Sequence, residues 1–298
     1  MGTDCLMGII LDRTCSKEQY SEAESALKAA ENALRLRESA TFSNWIADSE
    51  ICRYNRGEIT APSSELAEVL AAAERARIQT SGAFDVSCRP IIELWKSAQK
   101  NGALPTDEQI EQARNNKKSY DLGGISKGYC IDKALRRLIQ LNPQGAIVDI
   151  GGDTAVYGVS SQGVWTFSIV NPFDTHSLWG NFTIQTAEKT DEKDVPPTAA
   201  VCTSGGYYRG YTIGQQRFSH IINPQNARPI QLDDSTPVSV TVIASKCMEA
   251  DVWATALSVL GEPGLEILPS GVQTYMIIGT PEKHRVVSTP GFPPVILK

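Results

Sequence analysis

The stretch from Ser245 to Gly261, SKCMEADVWATALSVLG, decides the fold, because a strand hands over to a helix there and the helix carries both a packing face and a polar pair. Just upstream, Val238, Val240 and Val242 alternate with Ser239, Thr241 and Ile243, the period of two expected of a strand with one buried face. Ser245 is placed to cap the helix and Gly261 to end it. Trp253, Ala256, Leu257 and Leu260 recur at i, i+3, i+4 and i+7, which gives the helix a core stripe. Asp251 and Thr255 stand at i and i+4, so a carboxylate and a hydroxyl share one face and can reach one hard, oxygen-seeking cation. From this segment alone, an ordinary solvated helix face is the preferred reading.

Working outward, the chain of 298 residues is long enough for a large core, and no linker composition divides it. Apolar content of 41% and charged content of 21% are those of a soluble globular protein, with no apolar run of membrane-spanning length. A net charge of -6 argues against a nucleic-acid partner, and the single basic doublet Lys117-Lys118 is too short to alter that. The 7 cysteines are scattered without CxxC spacing, so free thiols are expected rather than a zinc site or a disulfide framework. With only 3 histidines, an imidazole-built zinc centre is disfavoured, and Mg²⁺ held by oxygens is the better metal hypothesis. The chain opens at MGTDC with no basic and apolar leader, which suggests either a cytoplasmic protein or a trimmed one.

In chain order, a short strand is expected from Met1 to Leu11, then a long helix begun by a Ser16/Gln19 capping box with Tyr20, Ala23, Leu27, Ala30 and Leu34 facing inward. The loop TFSNWIADSEICRYNRG carries Trp45, able to stack on a planar ligand or to plug a core edge, and a short helix from Ser49. A helix follows from Ser63, with Gly82 just beyond its end. In AFDVSCRPIIELW, Asp85 either caps, pairs with Arg89, or holds a ligand's polar edge. Thr106 and Gln109 form a second capping box. In SYDLGGISKGYCIDKALRRLIQL, glycines surround a helix start that carries Lys127, an arrangement suited to a diphosphate, although neither the Walker nor the GxGxxG spacing is present. The second half is strand-rich, with strands expected near 146–150, 154–158, 165–170, 182–184 and 199–204, and a loop at 187–197. A hairpin over 211–222 delivers His220 close to the Asn223-Pro224 turn, where an imidazole is either structural or a general base. Two strands near 275–278 and 285–288 close the pattern.

Read together, MGT, SNWIADSEICRYN, GAFDVSCRPIIELW, DLGGISKGY, IVDIGGD, TSGGYYRGY, FSHIINP, SVTVIASKCMEADVWATALSVLG and VVSTPGF resemble, in order and over nearly the whole chain, the ApbE-like flavin transferases, historically called thiamine-biosynthesis lipoproteins. That resemblance implies a single α+β domain over 1–298, with mixed or antiparallel sheets, flanking helices and a flavin site between the helical and strand-rich halves. It implies a Mg²⁺-dependent enzyme that moves FMN from FAD onto a Thr or Ser hydroxyl of a target protein, releasing AMP. By position, Asp251 and Thr255 match side-chain metal ligands and Gly124 a carbonyl ligand; Met1, Trp45, Ala83, Phe84, Asp85, Asp121, Lys127 and Ile222 match positions lining the FAD site; His220 matches the catalytic histidine.

The resemblance further implies the cell envelope, with any membrane attachment expected through an N-terminal lipid anchor that a trimmed sequence would have lost. Gly206 departs from the acidic or polar residue that many relatives place after the Ser-Gly of the TSG motif, and the six residues between Ala113 and Tyr120 leave little room for an edge hairpin found there in the family. Two alternatives remain open: a pyrophosphatase that splits FAD to FMN and AMP, and a non-catalytic FAD-binding protein.

Overall fold

The alternating valines before Ser245 and the helical stripe after it do form a strand and a helix, and the rest of the molecule is arranged around that pair. The structure is a computed structural model and describes residues 4–12, 14–116, 118–186, 198–207 and 209–298. Helices dominate the first half: α1 (Lys17–Arg37), α2 (Glu50–Arg56), α3 (Ser64–Gln79), α4 (Arg89–Asn101), α5 (Asp107–Asn115) and α6 (Ser126–Ile139) follow the lone strand β1 (Cys5–Ile10). The second half is β2 (Gly145–Ile150), β3 (Asp153–Gly158), β4 (Trp165–Val170), β5 (Leu178–Ile184), β6 (Thr198–Gly205), β7 (Tyr211–Ile213), β8 (Gln216–Asn223), β9 (Arg228–Gln231) and β10 (Pro237–Ala244). Helix α7 (Cys247–Leu260) comes next, then β11 (Gln273–Gly279), β12 (His284–Ser288) and β13 (Ile296–Leu297).

Local chemistry sets most of the helix starts. Ser16 and Gln19 cap α1 reciprocally, Thr106 and Gln109 do the same for α5, and Ser49 and Ser63 each accept an amide at the starts of α2 and α3. The inward stripe of α1 is narrower than expected: Ala23, Ala30 and Leu34 are buried, but Tyr20 in the first turn is exposed. The expected Ser245 cap is not made either. Lys246 occupies the cap position of α7 and offers no side-chain bond.

One seven-stranded antiparallel sheet, in the order β1-β2-β3-β6-β10-β11-β12, forms the spine. Its helical face buries Ala200, Cys202, Val240, Val242, Met276 and Ile278 beneath α6 and α7. Its other face buries Val201, Tyr275 and Ile277 against Ile169, Phe182 and Phe292, where the small sheet β13-β5-β4 covers it. Strand β10 is therefore buried on both faces, not one, and Ser239 and Thr241 lie inside; an irregular register between Pro237 and Ser239 turns Val238 to the opposite cluster from Val240. Helix α7 is likewise enclosed on almost every side, so its apolar surface exceeds a single stripe.

The third sheet, β7-β8-β9, packs with α4 and α5 as a satellite of its own. Trp95 fills it, donating its indole N–H to the Ala227 carbonyl at 3.0 Å. This satellite carries β8, and with it His220, against α7. Between α5 and α6 there is no hairpin among the described residues, only an isolated parallel bridge between Cys88 and Ser119. The strand at the start begins at Cys5 among the described residues, and both Met1 and the 187–197 loop lie outside them.

Candidate active site

Three segments distant in sequence are drawn to the start of α6. Asn55 on α2 clamps Tyr120 by both amide atoms, accepting from its N–H at 2.8 Å and donating to its carbonyl at 2.9 Å. The next residue, Asp121, donates its N–H to Val86 O at 2.7 Å, so the Ala83-Phe84-Asp85 turn runs beside the Asp121-Leu122-Gly123-Gly124 turn. Gln225, after β8, reaches Ser81 O at 3.2 Å and ties the His220 hairpin to the same region.

At the centre lies Asp251, 5% exposed, which corrects the reading of its helix face as solvated. Its Oδ2 accepts the Gly128 N–H at 3.2 Å. Burial, then the neighbouring Asp153, pushes the Asp251 carboxyl up to about 7, against the opposing pull of Lys127 and the Gly128 amide. One turn along α7, Thr255 faces Gly124 so closely that a methyl added there would lie 3.0 Å from Thr255 Oγ1. Ser204 on β6 adds a second hydroxyl, 3.4 Å from that of Thr255. Among the described residues no three His, Cys, Asp or Glu side chains gather as a metal centre. One buried carboxylate with hydroxyls and a glycine turn would suit a hard cation completed by a ligand's own oxygens, and a cation at Asp251 would offset the desolvation that its charged form suffers.

Lys127, in the first turn of α6, pairs with Asp153. Burial works against the ammonium, but the carboxylates of Asp153 and Asp251 outweigh it and the net direction is upward. Burial raises Asp153 while Lys127 lowers it, and Thr203 donates its N–H to Asp153 Oδ1 at 3.3 Å. We read the pair as ammonium and carboxylate, since both the contact and the amide favour the charged acid.

His220 is open to solvent on β8. Crowding by protein, followed by the positive charges of Arg209, Lys127 and Lys96, holds its pKa down to about 4. Because the residue is exposed, the three cations are the firmer cause; either way the imidazole is neutral at pH 7. Trp45 projects from its loop, 80% exposed, with Lys96 Nζ 4.5 Å over the ring.

The other expected wall residues are placed differently. Ala83, Phe84 and Ile222 are buried: Phe84 packs in the main core and touches the Gly124 turn, whereas Ile222 belongs to the satellite core. Asp85 does not pair with Arg89, which reaches Glu93 and Asn44 instead; its Oδ1 accepts the Ser87 N–H at 2.8 Å as a turn cap. Asp121 similarly accepts from Gly123 N–H at 2.9 Å. Two surface hollows, about 400 Å³ beside Cys5 and about 670 Å³ beside Glu108, contain none of these residues, so convergence of polar groups and not cavity size marks the site.

The ApbE family model matches residues 1–276. The chain belongs to the ApbE family. It is 30% identical over 312 aligned positions, covering 93% of this chain and 83% of the relative, to a protein of Haemophilus influenzae named FAD:protein FMN transferase. A protein of Salmonella typhimurium with the same name is 28% identical, with 90% and 82% covered. Among solved structures, the flavin transferase ApbE of Vibrio cholerae superposes with a TM-score of 0.71 at 25% identity, covering 99% of this chain and 96% of that one. The ApbE protein of Thermotoga maritima shares the fold, with a TM-score of 0.73 at 21% identity and 97% of each chain covered.

Against that ApbE background, Gly206 has a local reason. A side chain there would meet Leu232 Cδ2 at 2.9 Å and Ser219 at 3.3 Å, so a polar residue requires both neighbours to give way. Sequence reasoning passed over Asp153, Ser204, Lys96 and Arg209 as site residues. Asp153 and Ser204 sit inside quoted motifs, IVDIGGD and TSGG, but no spacing signals that β3 and β6 lie side by side. Nothing local marks Lys96 or Arg209.

Proposed function

We propose that this chain, as one domain over 1–298, is an FAD:protein FMN transferase that moves FMN from FAD onto a Thr or Ser hydroxyl of a target protein and releases AMP. The observation that carries the reading is the convergence of buried Asp251, Thr255 and the Gly124 turn with Lys127 and a neutral, solvent-facing His220. Gly124 through its carbonyl, Asp251 and Thr255 would hold Mg²⁺. The bound ion supplies charge neutralisation at the diphosphate of FAD and stabilises AMP as the leaving group.

The remaining work falls to the chain itself. Lys127, kept charged by Asp153, places an ammonium beside the phosphates, in the first turn of a helix whose positive dipole end favours anions. Trp45 offers an exposed ring for a flat ligand surface, held by Lys96. The Asp121 and Asp85 turns present backbone and carboxylate edges for the polar rim of FAD, while Ala83, Phe84 and Ile222 pack behind them. His220 accepts the proton of the incoming hydroxyl as its oxygen bonds to the FMN phosphorus and the phosphorus–oxygen bond to AMP breaks. A well-placed base contributes about two to four orders of magnitude. Its depressed pKa keeps it available at neutral pH, and its exposure leaves room for a protein segment to reach it. Met1 is included by resemblance alone. A cell-envelope location belongs to the same proposal; among the described residues no helix is long and apolar enough to cross a membrane.

The test mixes the chain with FAD, Mg²⁺ and a target domain carrying an acceptor threonine, then follows protein mass and nucleotide products. The expected result is a target heavier by FMN, with AMP released, abolished by Asp251→Ala and by His220→Gln; the latter retains FAD binding. Free FMN and AMP with unmodified target would replace the transferase by a pyrophosphatase, and intact bound FAD would leave only a binder.

A further inference from the structure

We propose that Asp132 is a positioning residue that fixes the register of α6 against α7 and so sets the cation affinity of the Gly124, Asp251 and Thr255 oxygens; this rests on the reading of those three as the cation site. Helix α7 starts without a side-chain cap of its own, since Lys246 at the cap position makes no such bond. Its first amides would otherwise be orphaned. The carboxylate that receives them comes from the other helix: Asp132 Oδ1 accepts from Cys247 N at 2.8 Å and Oδ2 from Met248 N at 3.0 Å.

That contact is the first of three rungs. One turn back along α6, Gly128 N–H donates to Asp251 Oδ2, one turn further along α7. One turn before that, Gly124 stands against Thr255, again one turn on. Steps of i+4 on α7 are therefore matched by steps of i−4 toward and past the start of α6, an antiparallel ladder whose far end is the proposed cation site. The middle rung has no slack. A Cβ at Gly128 would lie 2.5 Å from both Cys247 O and Met248 Cα, so the helix backbones meet directly. Turning α7 by one residue would swing Asp251 by roughly 100°. Both oxygens of Asp132 are engaged at the opposite end from the chemistry, where they pin the first turn of α7 against that rotation. Asp132 touches none of the oxygens proposed to hold the cation. It acts on Asp251 and Thr255 through the Cys247 and Met248 amides.

The experiment uses the full chain with FAD bound and no acceptor, titrating Mn²⁺ by electron paramagnetic resonance, with FAD affinity and thermal unfolding measured in parallel. Asp132→Asn retains one acceptor oxygen but turns an amide N–H2 toward a backbone donor. It is expected to weaken Mn²⁺ roughly tenfold or more, the usual consequence of losing a group that orients a metal ligand. FAD affinity should change far less, and exchange of the Cys247 and Met248 amides should accelerate. Thr106→Ala removes the side-chain cap of α5, away from the ladder, and should leave Mn²⁺ binding unchanged. A folded Asp132→Asn that binds Mn²⁺ like the wild type overturns the proposal, and so does an equal loss in Thr106→Ala. If the wild type itself binds no Mn²⁺, or Asp251→Ala binds it equally well, the cation-site reading fails first, a result distinguishable because it does not involve Asp132.

Discussion

Replacing Gly128 by alanine tests the closeness of the two central helices, because two effects of opposite sign compete there. Helix propensity favours alanine over glycine by about 0.8–1.0 kcal/mol in a helix interior. The added methyl, however, falls 2.5 Å from Cys247 O, roughly 0.9 Å short of the 3.4 Å at which ordinary contact begins. Neither obstacle is the loose end of a side chain. Both are backbone atoms of a helix start that Asp132 holds from below and β10 from behind, so α7 must move or α6 must bend. Overpacking of this kind costs about 1–3 kcal/mol and here exceeds the propensity gain. With a rigid backbone obstacle the cost falls in the upper part of that range, so Gly128→Ala is expected to lose roughly 1–2 kcal/mol net, a fall in Tm of about 2–6 °C for a chain of this size. Displacement should also lengthen the 3.2 Å bond from Gly128 N–H to Asp251 and raise the Mg²⁺ concentration needed for half-maximal activity. Differential scanning calorimetry and an Mg²⁺ titration of FMN transfer read the two effects. A Tm equal to or above the wild type, with an unchanged Mg²⁺ requirement, would refute the argument, since it would show that propensity alone acts at this position.

Two further predictions follow from the electrostatics. Lys96 is one of three cations that hold the His220 pKa down, so Lys96→Gln should move the acid limb of kcat/KM upward from about 4 toward the ordinary 6.5; an unmoved limb would remove Lys96 from the site. The same shift has a sign for stability: the unfolded chain binds the histidine proton more readily between those two values, so this residue lowers stability as pH falls from 6.5 toward 4, by an amount that its solvent exposure keeps small. Burial drives the Cys130 and Cys247 thiols up to about 12 and raises that of Cys202 as well, and Cys52 is buried too. These four thiols should resist a charged disulfide reagent in the native protein, although Cys202 and Cys247 lie with their sulfurs 3.4 Å apart, and react only on unfolding. Any fast-reacting equivalent beyond Cys5, Cys15 and Cys88 would contradict the packing.

By itself, the sequence determined the elements whose causes are local. The capping boxes of α1 and α5, the helix at Trp253 and the hairpin around Gly214 all rest on periods and turn chemistry set within a few residues. It also placed Asp251 and Thr255 on one helical face, because a spacing of four is nearly a full turn. What that face meets was decided only in three dimensions. A lone carboxylate and hydroxyl on a helix read as solvated, yet Asp251 is buried because β6 inserts between β3 and β10 and α6 closes over α7. Tyr20 failed as a core residue for the converse reason, since periodicity shows which side of a helix is apolar but not where its neighbours end. The cations around His220, the acid paired with Lys127 and the carboxylate that caps α7 come from other elements altogether. Their effect depends on distances of a few ångströms across a packed interior, and local periods of 2 and 3.6 residues hold no information about which distant segment will be the neighbour.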